Sequence, residues 1–317
     1  MAGTFTHWMI VEDALEKCRK MGHKGLNFNI ILEKNHFVNL GAAGPDYPYL
    51  TDLLSGMIKI HTWADRMHYE NTGEFLKVAA TNLLNRKGEE FEICLSWFCG
   101  FISHVIADII VHPMVNAIVG PYHFNAKEHQ HCEMIQDSYI FQEIKGTELR
   151  YSEYLELLKL CSGPNGDEAI HPAIRSYWTE ILKANHPGGE DKFDHILPND
   201  WHENFLSRIG SAEDPVAAFR HAREEKNLAY KRVKDITAPE RSRFIENVRL
   251  PNGKTGRFRE DVFDKAVSKV IEIWGQLLVA IESRDITIFT STVRNWNLDT
   301  GVDEDRIYFW DMKGEAQ

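Results

Sequence analysis

The chain has 317 residues, 43% of them hydrophobic and 26% charged, and a net charge of −11. That composition excludes a mostly disordered chain, a collagen-like fibre and a small disulfide scaffold, and the length suffices to bury a core without cross-links. The negative balance argues against broad nucleic-acid binding through the phosphate backbone.

Helical periodicity dominates, so an all-α, multi-helix bundle is expected. Met9, Ile10, Ala14 and Leu15 predict a helix over Thr6–Met21, stopped by Gly22. Asp52–Tyr69 and Gly73–Asn85 read as helices flanking a break near Asn71-Thr-Gly. Glu90–Val111 reads as a long apolar helix. A membrane span over Phe91–Val119 would bury Glu92, His104, Asp108 and His112 in hydrocarbon at a cost of several kcal/mol, so this is the expected central helix of a soluble core. His112-Pro113 is expected to end or kink it, because a residue before proline is pushed out of the α region. Lys127–Ile144, Ser152–Cys161 and His171–Lys183 follow, the last with proline at its second position.

Asn185–Pro198 reads as a loop, Asp214–Lys234 as a charged helix, and Arg249–Arg259 as a loop around Pro251-Asn-Gly. Glu260–Ser283 is amphipathic, with Val262, Ala266, Val270, Ile273, Leu277 and Ile281 on one face. Ile286–Val293 is the best strand candidate, and Tyr308, Phe309 and Trp310 are expected to dock on the bundle. A single domain over residues 1–317 fits, with loop-rich insertions between about 160 and 260. The first residues show no basic-then-apolar leader. The five cysteines (Cys18, Cys94, Cys99, Cys132 and Cys161) form no C-x-x-C pair, so a reducing, cytoplasmic setting is expected.

The fifteen histidines carry the chemistry. His104, Asp108 and His112 stand at i, i+4 and i+8, on one face of a helix. In an apolar helix that face points inward, where a carboxylate between two imidazoles is costly unless a cation joins them. His104 and His112 lie about 12 Å apart along the axis, too far to share one ion. His104 and Asp108 can share one, and His112 then serves another, so the spacing points to a multinuclear site. His129 and Glu133 supply a second i, i+4 pair; His131 would face away from Glu133, and Cys132 reads as a packing residue. His7, Asp46 and His68 stand alone, and each also suits a structural role as cap, turn or core residue; His61 rivals His68.

In order, Thr6-His7, Gly44-Pro-Asp46, Met67-His68, Gly100-Phe-Ile-Ser-His104-x-x-x-Asp108-x-x-x-His112-Pro113 and His129-x-x-x-Glu133 resemble the zinc-dependent phospholipase C family over about residues 4–140. The resemblance implies a helical fold shared with single-strand nucleases and 3′-nucleotidases, and zinc-dependent hydrolysis of a phosphoester. It implies that Asp46, His68, His104 and Asp108 hold one zinc, and that His112, His129 and Glu133 hold another. His7 would hold a third, with Asp108 bridging and the N-terminal amine and carbonyl completing it. Secreted members expose that amine by signal cleavage; here six residues precede His7, so two or three zinc ions are expected. Asp46 is also the general-base or water-orienting candidate.

No Gly-x-Ser-x-Gly, P-loop or dinucleotide fingerprint is present. The expected partner is a small phosphoester or phospholipid substrate. A nuclease or 3′-nucleotidase using the same metals, and a non-catalytic metal-stabilised scaffold, are the alternatives. Trp8, Tyr47, Tyr49, Tyr122 and Phe124 are candidate pocket walls, with core packing as the competing role. Arg220, Arg223, Arg241, Arg243, Arg257 and Arg259 read mainly as a solvated face.

Overall fold

The computed structural model describes residues 3–21, 28–49, 62–150, 152–163, 169–192, 195–213 and 230–310. The fold is all-α apart from one two-stranded hairpin among the described residues. In chain order the first half comprises α1 (Thr4–Met21), α2 (Asn29–Glu33), α3 (Asn35–Ala43), a 3-10 turn (Gly44–Asp46), α4 (Trp63–Tyr69), α5 (Thr72–Leu83), α6 (Gly88–Val119) and α7 (Tyr122–Lys145). The second half comprises α8 (Ser152–Lys159), α9 (Pro172–Asn185), α10 (Gly189–Lys192), α11 (Pro198–Glu213), α12 (Ala238–Arg241), β1 (Val248–Arg249), β2 (Thr255–Gly256), α13 (Asp264–Ser283) and α14 (Thr287–Thr290).

α6 is the axis of the core. Every position from Ile93 to Val115 on it is buried. Its apolar window is long enough to cross a membrane, yet that window lies wholly inside the protein. Glu89 and Glu90 in its first turn oppose the positive end of the helix dipole. α13 packs against it with Ala266, Val270, Ile273, Trp274 and Leu277, and the Trp274 indole donates to the Cys99 carbonyl at 2.8 Å. α3 approaches it more closely than any side chain permits. A Cβ at Gly41 would fall 1.9 Å from the Trp97 carbonyl oxygen, and one at Gly100 would fall 2.0 Å from that of Val38.

The expected stop at His112-Pro113 is not there: α6 runs six residues past Pro113 to Val119. Proline removes one N–H and leaves the Ile109 carbonyl without its helical donor. The C-terminal segment buttresses that turn. Gly301, at φ 66°, brings its backbone so near that a Cβ would fall 2.8 Å from the Ile109 oxygen. The Trp310 indole donates to the next carbonyl, of Ile110, at 2.9 Å. The aromatic docking expected of Trp310 is thus a specific hydrogen bond as well as packing.

Elsewhere the expected helices stand with shifted ends. Of Asp52–Tyr69, only Trp63–Tyr69 is helix among the described residues; residues 52–61 lie outside them. Asn71 starts α5 from a left-handed φ of 53°, which is the break placed near Asn71-Thr-Gly. His171 caps α9 by accepting from the Ala173 amide, with Pro172 at the first turn. Three local readings are corrected. Ile286–Val293 is not a strand: α14 forms there, where Asp285 accepts from both the amide and the hydroxyl of Thr287, and among the described residues no neighbouring strand offers a ladder. Asn185–Pro198 contains the short helix α10. Arg249–Arg259 contains the hairpin strand β2, with Val248 opposite Gly256 and Arg249 opposite Thr255. The charged helix expected over 214–234 falls for residues 214–229 outside the described residues; Val233–Asp235 is a 3-10 turn. The five cysteines are free and buried.

Candidate metal centre

Four stretches of chain deliver six titratable side chains to one buried point. α1 brings His7, the 3-10 turn after α3 brings Asp46, the end of α4 brings His68, and α6 brings His104, Asp108 and His112. Asp108 is fully buried and sits at the middle, and its two oxygens divide the cluster. Oδ1 lies 3.3 Å from His7 Nε2 and 3.4 Å from His112 Nε2. Oδ2 lies 3.1 Å from His104 Nε2 and 3.6 Å from His68 Nε2. Asp46 Oδ1 stands 3.3 Å from His68 Nε2 and 3.8 Å from His104 Nε2. The His7 ring stacks on that of His104 at 4.0 Å between centroids.

The far side of each imidazole explains its orientation. His68 Nδ1 meets the Ala64 carbonyl at 2.7 Å, His104 Nδ1 the Ala42 carbonyl at 2.8 Å, and His112 Nδ1 the Leu298 carbonyl at 2.9 Å. A carbonyl only accepts, so each Nδ1 carries the proton and each Nε2 presents a lone pair inward. The His68 and His104 Nε2 atoms are 3.3 Å apart, and two lone pairs at that distance repel. Buried and without a hydrogen bond are both nitrogens of His7, His112 Nε2 and Asp46 Oδ1. Leaving that many polar atoms unmatched costs several kcal/mol, and bound cations would answer those that face the centre.

Electrostatics agree. Burial pushes the Asp108 carboxyl up, but His112, His104 and His7 outweigh it and hold it well below the usual carboxylate range. Asp46 is held low in the same way, by His104 and His68 against burial. Burial pushes His112 down, against the pull of Asp108 and Asp299, so its neutral, ligating form is favoured. Ionised carboxylates beside imidazole nitrogens form a donor set that suits zinc. The ligand atoms of His7, His104 and Asp108 lie within 4.8 Å of one another, as do those of Asp46, His68 and His104.

His129 and Glu133 are one turn apart on α7 and belong to neither of those two groups. There the nitrogens exchange roles: Nε2 faces the Gly120 carbonyl at 2.6 Å, and Nδ1 faces Glu133 Oε1 at 3.8 Å. Glu133 lies near enough for its charge to act on His112. His131 points elsewhere, to Glu240 at 2.9 Å, and Cys132 is packed in the core. His61 and the chain's N-terminal amine lie outside the described residues.

Of the candidate pocket walls, Trp8 and Tyr47 are core residues. Tyr49 stands 5.3 Å from the His68 ring and Tyr122 stands 5.4 Å from His129, both between ring centroids. Phe124 is 84% exposed. Arg243, Arg257 and Arg259 pair with Glu128, Glu260 and Asp13, and Arg241 reaches the Val233 carbonyl; Arg220 and Arg223 lie outside the described residues. The orienting carbonyls of Ala42, Ala64 and Leu298 escaped the sequence reading, because a backbone acceptor has no residue signature. Asp137 escaped it too, although its spacing from Glu133 repeats that of Glu133 from His129. Asp137 accepts from the amides of Phe5 and Thr6, the Thr6 hydroxyl and the Tyr230 hydroxyl, and so fixes the start of α1 beside His7.

A family model described as zinc dependent phospholipase C matches residues 6–188, more than half of the chain. The chain belongs to that family. All eight expected ligands fall inside the match, which runs past residue 140 through α9. No curated protein and no solved structure matches at a significant level.

Proposed function

We propose that this chain is a zinc-dependent phosphoester hydrolase. One observation carries the reading: three imidazoles, each held by a main-chain carbonyl at Nδ1, turn Nε2 toward two ionised carboxylates in a buried pocket. Family membership supplies the reaction class. Asp46, His68, His104 and Asp108 would hold one zinc ion. His112, His129 and Glu133 would hold a second, and His7 with Asp108 a third. When bound, zinc supplies Lewis acidity to the phosphoryl oxygens and makes a water acidic enough to attack at neutral pH.

The protein's own groups have separate tasks. The carbonyls behind His68, His104 and His112 fix the tautomers, so no proton has to leave Nε2 before an ion is bound. Asp46 is kept ionised, and Oδ1 carries no hydrogen bond, so it can take the proton of the attacking water. The water's oxygen forms the new bond to phosphorus, and the ester oxygen leaves with the electron pair of the broken P–O bond. Tyr49 and Tyr122 lie beside two of the histidines and give the substrate an aromatic wall. The expected substrate is a phosphodiester or phosphomonoester, a phospholipid among them.

The test is elemental analysis of protein purified without chelators, followed by a panel of an aryl phosphodiester, a phospholipid, a 3′-nucleotide and a single-stranded oligonucleotide. Two or three zinc ions per chain, with hydrolysis that Asp108→Asn abolishes, is the expected result. Turnover of the nucleic-acid substrates alone would assign a nuclease. Full zinc occupancy without turnover of any of them would assign a metal-stabilised scaffold.

A further inference from the structure

The chain beyond the family match also reaches the metal centre. Leu298 joins two of its histidines through one residue of backbone. Its N–H donates to the His68 carbonyl at 2.9 Å, and its own carbonyl accepts from His112 Nδ1 at 2.9 Å. The next residue, Asp299, places Oδ1 3.6 Å from that same Nδ1 and accepts the Tyr69 hydroxyl on Oδ2 at 3.0 Å. The Asp299 carbonyl accepts from the Asn116 amide at 2.6 Å, one turn along α6 from His112.

This turn is built to hold still. The Asn297 side chain accepts from the amides of Asp299 and Thr300, both at 3.1 Å. Trp296 anchors one flank, its carbonyl accepting the Thr72 hydroxyl at 2.7 Å. Gly301 and Trp310 anchor the other flank on the Pro113 turn of α6. At 3.6 Å the Asp299 carboxylate makes no hydrogen bond to the imidazole. The Leu298 carbonyl takes that role, and the carboxylate adds negative charge beside the same proton. Both favour a proton on Nδ1 and a more basic lone pair on Nε2, as an outer-shell carboxylate does for a metal-bound histidine.

We propose that Asp299 is a positioning residue of the metal centre. With the Leu298 backbone it sets His112 as a ligand and ties it to the His68 turn, so the segment 296–299 is a working part of a site whose ligands all lie inside residues 6–188. The proposal rests on the zinc reading of the cluster.

The test measures zinc affinity of the full-length chain by competition with a chromophoric chelator, and the visible spectrum of the cobalt-substituted protein. Asp299→Asn is expected to keep the ion count but to bind one ion about 10- to 100-fold more weakly, with an altered cobalt spectrum and unchanged melting of the metal-free chain. Asp299→Glu, which keeps the charge, is expected to recover most of that affinity. Asp305→Asn, in the exposed pair with Arg294, is expected to match wild type. Wild-type affinity for every ion in Asp299→Asn overturns the proposal, as does equal weakening in Asp299→Asn and Asp299→Glu. If Asp299→Asn does not fold, Tyr69→Phe removes the hydroxyl that holds the same carboxylate. Weakening of the same ion then supports the proposal, and unchanged affinity overturns it. A wild-type chain that binds no zinc overturns the zinc reading and this proposal together, whereas a zinc-loaded wild type with an unaffected Asp299→Asn overturns this proposal alone.

Discussion

α6 and α7 each carry three titratable residues spaced four apart, His104–Asp108–His112 and His129–Glu133–Asp137, and they use them differently. On α6 all three are buried, and the two histidines face Asp108 from either side. On α7 the first two form a pair at 3.8 Å beside the half-exposed Tyr122, and the third turns away to hold the start of α1. Identical spacing thus yields a buried cluster of imidazoles around a carboxylate in one helix, and a His–Glu pair followed by a helix anchor in its neighbour. What decides is the surroundings. The polar face of α6 meets imidazoles and a carboxylate from other elements, whereas the third rung of α7 meets the amides at the start of α1.

The sharpest way to break this contrast is at Asp108. Asp108→Asn is expected to abolish hydrolysis and release at least one zinc, read by activity and elemental analysis. Retained metal and turnover would show that α6 is not the ligating ladder. Asp46→Asn is expected to lower turnover by about 10²–10⁴-fold if Asp46 takes the proton, with the zinc count telling base from ligand. Chelation is expected to lower the melting temperature, since an ion present at 1,000 times its Kd contributes about 4 kcal/mol to stability. His104→Ala is expected to remove most of that chelator-sensitive shift and His129→Ala less of it.

The third rung of α7 makes a pH prediction. Burial raises the Asp137 carboxyl from 3.8 to about 7 against its four donors. Between those values the folded chain holds a proton that the unfolded chain has released. Stability therefore falls as pH rises through that window and levels off above about 7. Asp137→Asn is expected to flatten that slope, a difference on the order of 4 kcal/mol across it, measured by denaturant unfolding at several pH values. The smallest effect is at Trp310. Trp310→Phe removes the donor to Ile110 and is expected to cost about 0.5–1.5 kcal/mol.

The histidines and carboxylates of the cluster were legible because side-chain identity and helical spacing are written in the sequence. Their order along the chain pointed to the family that the comparison shows. The path of α6 through Pro113 was not legible, because its support comes from Gly301 and Trp310, nearly 200 residues away. The clamps on Nδ1 were hidden for a related reason: Ala42 and Leu298 contribute only backbone, and nothing about an alanine or a leucine announces that its carbonyl will meet an imidazole. Asp137 carries no sequence signal that it will hold the start of α1, because the amides it accepts from lie about 130 residues earlier.

The contact between α3 and α6 has a consequence for how this protein tolerates change. Gly41 and Gly100 let the two backbones touch, and that closeness places the Ala42 carbonyl on His104. A methyl group at either glycine must part the helices and draw the carbonyl off the imidazole. In a library scored for loss of bound metal, two residues with no side chain should therefore rank with the ligands themselves, and random drift has little room at those positions while the function is kept.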